Sequence, residues 1–197
     1  MKKGWEPTRS RVTILVDNTV MELLPDSQFV TRLSKPNKSF ICEHGFSALI
    51  EANGKKILVD TGSTGIAVMH NLKLLGISPE DIDTIVLSHG HYDHTGGLNN
   101  FSAKIISHPD AFYKRYLVTS SGVKIELTCP NSEMFMKRVE FHIKPVKLAD
   151  GIWTTGEIKR RNSWESLNIF KIQKKGKIRP DNIRDDQGIV ISSQKGL

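Results

Sequence analysis

Apolar and polar positions alternate in short blocks along this chain, and the period of the blocks changes from place to place. "VTILV" at 12–16 predicts a first strand. Residues 21–40 are polar and turn-rich, with Pro25, Asp26, Pro36 and Asn37, and predict a long surface loop. In "FSALIEANGKKILVDTG" two apolar runs flank Asn53-Gly54, the dipeptide favoured by a tight type I′ hairpin. Asp60 falls at the end of the second run, where the chain leaves the sheet.

The period then lengthens. In "GSTGIAVMHNLKLLGIS" Val68, Leu72 and Leu75 share one helical face, Ser63 or Thr64 can cap the start, and Gly76 ends it. Ile85 to Leu87 reads as a fully buried strand. Beyond it, "AKIISHP" predicts a strand and "PDAFYKRYLV" a short helix. Residues 119–135 read as loop with one strand at Val123 to Leu127. "RVEFHIKPV" and "GIWTTGEI" are strand candidates separated by the Asp150-Gly151 turn, "GIVIS" is a buried strand and "SQKG" a turn. The β-β-α-β succession implies a sheet with a helix packed on its face. No internal repeat or low-complexity tract interrupts it, so residues 1–197 are expected to form one domain. No partner strand follows Gly188–Ser193, which predicts an unpaired edge and self-association through it.

Composition narrows the class. A chain of 197 residues can bury a sizeable core, and no apolar run approaches the ~20 residues needed to span a bilayer. "MKKGWEPTRSR" is basic but lacks the apolar stretch of a secretory signal, so a cytoplasmic location is expected. Cys42 and Cys129 are the only cysteines, which excludes a disulfide framework and a CxxC zinc pair. The net charge is +7, and nine Lys or Arg fall between Ile158 and Arg184 against Glu165 and Asp181. That segment can attract phosphates or nucleic acid, or simply form a solvated face. Its aromatics are only Trp164 and Phe170, which gives little for bases to stack on.

The chemistry concentrates in "SHGHYDHTGGL", residues 88–98. His89, His91, Asp93 and His94 crowd a loop directly after a buried strand, in a chain with seven histidines. Imidazole nitrogen and carboxylate oxygen are the ligands that zinc and similar divalent ions prefer. Alternate residues on such a loop can project to one side, so His89 and His91 can share one ion while Asp93 and His94 hold a second. Gly90, Gly96 and Gly97 supply the backbone freedom for the turn. A surface loop that happens to be histidine-rich is the competing reading. Neither a P-loop ending nor a GxSxG elbow is present.

"HGHYDH" after "IDTIVLS", preceded by "ILVDTG", resembles the signature of the metallo-β-lactamase superfamily. The resemblance implies an α/β fold, an αββα sandwich with metals at one edge. "LVDNTV", "EHGFSALIE", "TTGEIKR" and "DDQGIVI" resemble one branch, labelled 7,8-dihydropterin-6-yl-methyl-4-(β-D-ribofuranosyl)aminobenzene 5′-phosphate synthase or metallo-hydrolase. These pieces run in order over nearly the whole chain. Members of the branch continue past "KGL" into a Cys-Ser-His and a Gly-Gly-x-His segment that supply further ligands. Nothing here matches those, so the resemblance implies a C-terminally truncated member and an incomplete sandwich.

Site assignments follow from the cluster and the resemblance together. His89, His91, Asp93 and His94 are the expected ligands of one or two divalent ions, zinc first and manganese or iron as alternatives. Asp93 is also expected to orient the nucleophile. Asp60 resembles the aspartate that braces the metal loop, with a simple strand-end cap as the other reading. His44 can face the pocket or be structural, His70 is expected on the solvent side of its helix, His108 in a loop, and His142 has no assigned role. Glu157 lies in a branch-like motif without a derivable role. The expected activity is metal-assisted hydrolysis of a small, optionally phosphorylated substrate, or the related pterin-joining reaction. A metal-dependent nuclease and an inactive fragment are the alternatives. No membrane partner is expected.

Overall fold

In a computed structural model of the chain, residues 9–19, 27–28, 30–31, 39–165 and 169–193 are described. Most of the loop expected over 21–40 and most of the "SQKG" turn lie outside them. The elements in order are β1 (Ser10–Val16), β2 (Ser47–Ala52), β3 (Lys55–Val59), α1 (Ile66–Leu75), β4 (Thr84–Val86) and α2 (Tyr92–Thr95). Then follow β5 (Lys104–Ser107), β6 (Arg115–Val118), β7 (Lys124–Glu126), β8 (Val139–Phe141), β9 (Lys147–Ala149) and β10 (Ile152–Thr154). The last three are β11 (Phe170–Lys174), β12 (Lys177–Pro180) and β13 (Ile189–Ile191).

The main sheet has six strands in the order β1-β2-β3-β4-β5-β8. β1, β2 and β3 pair antiparallel, and β3, β4, β5 and β8 pair parallel. The β2–β3 turn is the expected hairpin: Asn53 at φ 52° and Gly54 at φ 74° both take the left-handed region a type I′ turn requires. Side-chain alternation gives the sheet two apolar faces. Leu49, Leu58, Ile85 and Ile105 lie in one cross-strand row, each fully buried, and join Val68 and Leu72 of α1 in one core. Ile50, Ile57, Val86 and Ile106 point the other way, onto Ile152, Ile189 and Ile191 of the sheet β13-β10-β9. The result is a helix layer, a sheet and a second sheet, with two apolar cores between them.

α1 ends where expected, with Gly76 in the left-handed region at φ 76°. Its start differs slightly. Gly65 is the capping position, and the Thr64 hydroxyl accepts the Ile66 N–H at 3.1 Å. The helix expected in "PDAFYKRYLV" is a correction: only Pro109–Phe112 form one 3₁₀ turn, and Arg115–Val118 become β6. Pro109 after the capping His108 suits a helix start, but pairing decides the rest. β6 pairs with β11 and β7 in a sheet of order β12-β11-β6-β7, and its Arg115 is fully buried. The basic stretch 158–184 carries a β-hairpin, β11–β12, which the sequence pattern does not predict. β13 pairs with β10 alone among the described residues, so its outer edge is open there. No described helix is long and apolar enough to cross a membrane.

Candidate active site

β4 delivers the chain to the histidine run at the edge of the main sheet, and four sets of contacts fix that run. His91 forms an isolated bridge with Thr128, and the Tyr92 N–H donates to the Leu127 carbonyl at 3.0 Å. The Thr61 N–H donates to the His94 carbonyl at 2.8 Å, and the Phe46 N–H to the Asp93 carbonyl at 3.3 Å. Gly90 packs so tightly that a Cβ there would lie 1.7 Å from the Ala111 carbonyl oxygen. The position needs glycine for space rather than for the backbone freedom the turn argument expects, since Gly90, Gly96 and Gly97 all lie outside the positive-φ region.

Three imidazoles come together. The His89 ring centroid is 4.2 Å from that of His94 and 4.6 Å from that of His91. Asp93 Oδ2 stands 3.5 Å from His94 Nε2 and 3.4 Å from His44 Nε2. Asp60 sits beneath, fully buried, at φ 57°. Its Oδ1 accepts the Ser88 N–H at 2.8 Å, and its Oδ2 takes the Ser88 hydroxyl at 2.6 Å and His94 Nδ1 at 2.7 Å. Asp60 therefore both caps the strand end and braces the run, the two readings its position allowed.

Electrostatics separate the three rings. Burial, then the neighbouring His94 and His91, hold His89 well below its ordinary pKa. Burial and the Arg115 charge lower His91 to about 4. For His94 burial pulls down, but the Asp60 hydrogen bond and the charges of Asp60 and Asp93 outweigh it and raise the pKa. His89 and His91 are thus neutral donors of a lone pair at neutral pH, the form a metal needs.

A deeper layer was not legible in the sequence. The buried Arg115 donates from Nε to Asp181 Oδ2 at 2.8 Å and from Nη1 to the Ala111 carbonyl at 3.1 Å. Its Nη2 lies 2.7 Å from Asp185 Oδ1 as an ion pair without hydrogen-bond alignment. Asp185 Oδ2 accepts the Gly90 N–H at 2.8 Å, between two histidines of the run. Gln187 adds two bonds, from its N–H to the Ser88 carbonyl at 3.0 Å and from Nε2 to the Leu87 carbonyl at 2.8 Å. The "DDQG" segment stands out in the sequence only through a family resemblance. A buried arginine facing two aspartates far along the chain leaves no periodic signal.

The remaining histidines divide. His44 joins the site mouth, with its Nδ1 2.9 Å from Asn18 Oδ1. His70 is exposed on α1, bonded at 2.9 Å to the Ser39 carbonyl. His108 stands just past the end of β5, as expected, and is buried there: its Nδ1 accepts the Asp110 N–H at 3.0 Å, and its Nε2 faces Glu157 at 3.6 Å. His142 lies apart, 3.7 Å from Glu140.

Whether these residues suit a divalent ion is decided on their own geometry. His91 Nε2 is buried without a hydrogen-bond partner, an expensive arrangement that a bound cation would relieve. His94, held through Nδ1 by Asp60, leaves Nε2 for a ligand bond. Two donors at about 2.0–2.2 Å on a tetrahedral ion stand roughly 3.4 Å apart, and His94 Nε2 and Asp93 Oδ2 are 3.5 Å apart. Among the described residues no group of three or more His, Cys, Asp or Glu is arranged so that it could hold a metal ion as it stands. The donors fit in type, His89 and His91 fit in protonation, and the His94–Asp93 pair fits in spacing.

Fold and residues define a class. Residues 41–113 match the family model of the metallo-β-lactamase superfamily, and the chain carries that superfamily's α/β architecture. It covers 96% of its length on the solved structure of a metal-dependent hydrolase of the β-lactamase superfamily, with a TM-score of 0.74 and 23% identity, spanning 64% of that chain. At finer grain the likeness is to two proteins of Methanocaldococcus jannaschii. One, uncharacterized, is 35% identical over 188 residues, 91% of this chain and 65% of that protein. The other is a 7,8-dihydropterin-6-methyl-4-(β-D-ribofuranosyl)-aminobenzene-5′-phosphate synthase, 34% identical over 180 residues, 82% of this chain and 61% of that protein. The chain therefore spans less than two thirds of the length of these relatives.

Proposed function

We propose that this chain carries the metal-dependent catalytic core of a metallo-hydrolase acting on a small organic substrate. The carrying observation is the convergence of the neutral His89 and His91 with the Asp60-anchored His94 at the end of β4. His89, His91, Asp93 and His94 would hold one or two divalent ions, zinc first. A bound ion supplies Lewis acidity and makes water reactive near neutral pH. The residues do the rest. Asp60 fixes the His94 ring, Asp185 fixes the backbone between His89 and His91, and Asp93 orients the attacking group through its carboxylate. His44, with a side chain 62% exposed beside Asp93, borders the mouth where substrate arrives.

The identity to the dihydropterin-ribofuranosylaminobenzene phosphate synthase supports a second reading, in which the same site assists a joining reaction on a phosphorylated substrate. A reducing, cytoplasmic setting fits the two free cysteines. Metal content of purified 1–197 beside His91→Ala tests the proposal. One to two ions per chain, lost in the variant, is the expected result. Much less than one ion in the unsubstituted chain overturns it and leaves a non-catalytic domain.

A further inference from the structure

Two imidazoles approach Asp93 Oδ2: His94 Nε2 at 3.5 Å and His44 Nε2 at 3.4 Å. We propose that His44 is a further metal donor, which with Asp93 and His94 makes up the protein side of one divalent-ion position. The inference rests on the metal-binding reading above and adds to it a donor from outside the histidine run.

The tautomer of His44 is fixed by its partners. Asn18 Oδ1 accepts the Gly45 N–H at 3.3 Å, which settles which end of that amide faces the loop. The same oxygen lies 2.9 Å from His44 Nδ1. An amide oxygen only accepts, so Nδ1 holds the proton and Nε2 of the neutral ring is a bare acceptor. That acceptor faces a carboxylate oxygen, itself an acceptor. Two lone pairs so placed repel unless a cation stands between them, either a metal ion or a second proton on the ring. His94 has the same anchoring, with Nδ1 tied to the Asp60 carboxylate and Nε2 turned to Asp93. An imidazole held at one nitrogen by an oxygen and offering the other is how proteins set metal-binding histidines.

The backbone is shaped to bring His44 there. Gly45 takes φ 107°, and a Cβ on it would lie 1.8 Å from the Asp93 carbonyl oxygen. The Phe46 N–H donates to that same oxygen at 3.3 Å. Glycine is what lets this loop close so tightly on Asp93. A ring that merely tied the loop to Asn18 would gain nothing from meeting a carboxylate with its bare nitrogen. As they stand, the three side chains are not arranged to hold an ion. His44 is exposed, so it has room to swing inward when an ion draws the donors together. Three protein donors and one open position are the make-up of a catalytic zinc site.

The test is cobalt(II) titration of metal-free 1–197, followed by visible absorption and proton NMR. Cobalt shifts the exchangeable Nδ1–H signal of each histidine bound through Nε2 far outside the ordinary range, so these signals count the ligating rings. His44→Gln is expected to show one such signal fewer and to weaken the affinity of the Asp93-side ion about tenfold or more. Asn18→Ala keeps the donor and removes its anchor, so its affinity should fall by less. His142→Gln, on a histidine that lies apart, should change neither readout. Folding of each variant is checked by its urea midpoint, and replacing the exposed His44 leaves the core untouched. An unchanged signal count in His44→Gln overturns the proposal, with or without a loss of affinity, and leaves His44 as an ion-pair partner of Asp93 while metal binding by the run stands. Equal losses in His142→Gln overturn it as well. No cobalt binding by the unsubstituted chain overturns the metal-binding reading itself, and this one with it.

Discussion

Asp60 Oδ2 accepts His94 Nδ1 at 2.7 Å, from a carboxylate that is itself fully buried. An ionised carboxylate only accepts, so Nδ1 carries a proton and Nε2 is the ring nitrogen that faces Asp93. The orientation of the ring is thereby set by a residue more than thirty positions away on the neighbouring strand.

Asp60→Asn should disturb that orientation while keeping the volume. The amide offers one acceptor oxygen where three donors now converge on two. Divalent-ion affinity, measured by competition with a chromophoric chelator, is expected to fall about 10- to 100-fold. An unchanged affinity would show that His94 does not depend on Asp60.

Asp185 is expected to matter for stability as well. Burial pushes its pKa up while the Arg115 charge opposes, so the carboxylate is held in place by its partner. Removing it in Asp185→Ala leaves a buried guanidinium uncompensated at Nη2 and the Gly90 N–H unpaired. A loss of about 3–5 kcal/mol is expected from urea unfolding. Asp185→Asn should lose less, since an amide oxygen can still accept from Gly90. Equal losses in the two variants would count against the Gly90 bond as the important one.

Gly90→Ala tests packing rather than charge. The added Cβ would lie 1.7 Å from the Ala111 carbonyl oxygen and 2.5 Å from Arg115 Nη1, and the first of these is backbone that cannot step aside. The variant should fail to fold or lose at least about 3 kcal/mol. Gly188→Ala is the control, because its Cβ meets only Thr155 Cγ2 at 3.8 Å. Similar circular dichroism melts for the two variants would refute the close-approach argument.

The metal-free protein should weaken as the pH falls through a defined window. His91 has its pKa lowered to about 4 in the folded chain, from an ordinary 6.5. Between those values the unfolded chain binds a proton that the folded chain refuses, so stability is complete above about 6.5 and declines toward 4. The gap corresponds to about 3 kcal/mol. His94, whose pKa is raised, acts in the opposite sense and loses its contribution as the pH rises through its folded value. Urea midpoints from pH 7 to 4 should fall less steeply for His91→Ala than for the unsubstituted chain. Parallel curves would contradict the assignment.

Local patterns carried much of the architecture. The period-2 runs around Asn53-Gly54 specified β2, β3 and their turn, and the 3.6-residue spacing of Val68, Leu72 and Leu75 specified α1 with its Gly76 stop. The crowding of His89, His91, Asp93 and His94 marked the candidate site, because such chemistry is local in the chain. β6 was misread because Pro109 and its neighbours favour a helix start, whereas pairing to β11 is decided far downstream. Arg115, Asp181 and Asp185 were missed for the same reason. The Arg115–Asp181 pair exists only after the chain has closed over 66 residues, and the bond from Gly90 to Asp185 only after 95.

That separation has a consequence for how the protein is made. Gly90 and its acceptor Asp185 are 95 residues apart, and Leu87 and Gln187 are 100 apart. At a synthesis rate of about 5–20 residues per second, the histidines leave the ribosome roughly 5–20 seconds before the segment that braces them exists. During that interval the nascent run has Asp60, made earlier, but neither Asp185 nor Gln187. The loop takes its final shape only when Asp185 and Gln187 arrive, so the order of synthesis makes completion of this site one of the last acts of folding.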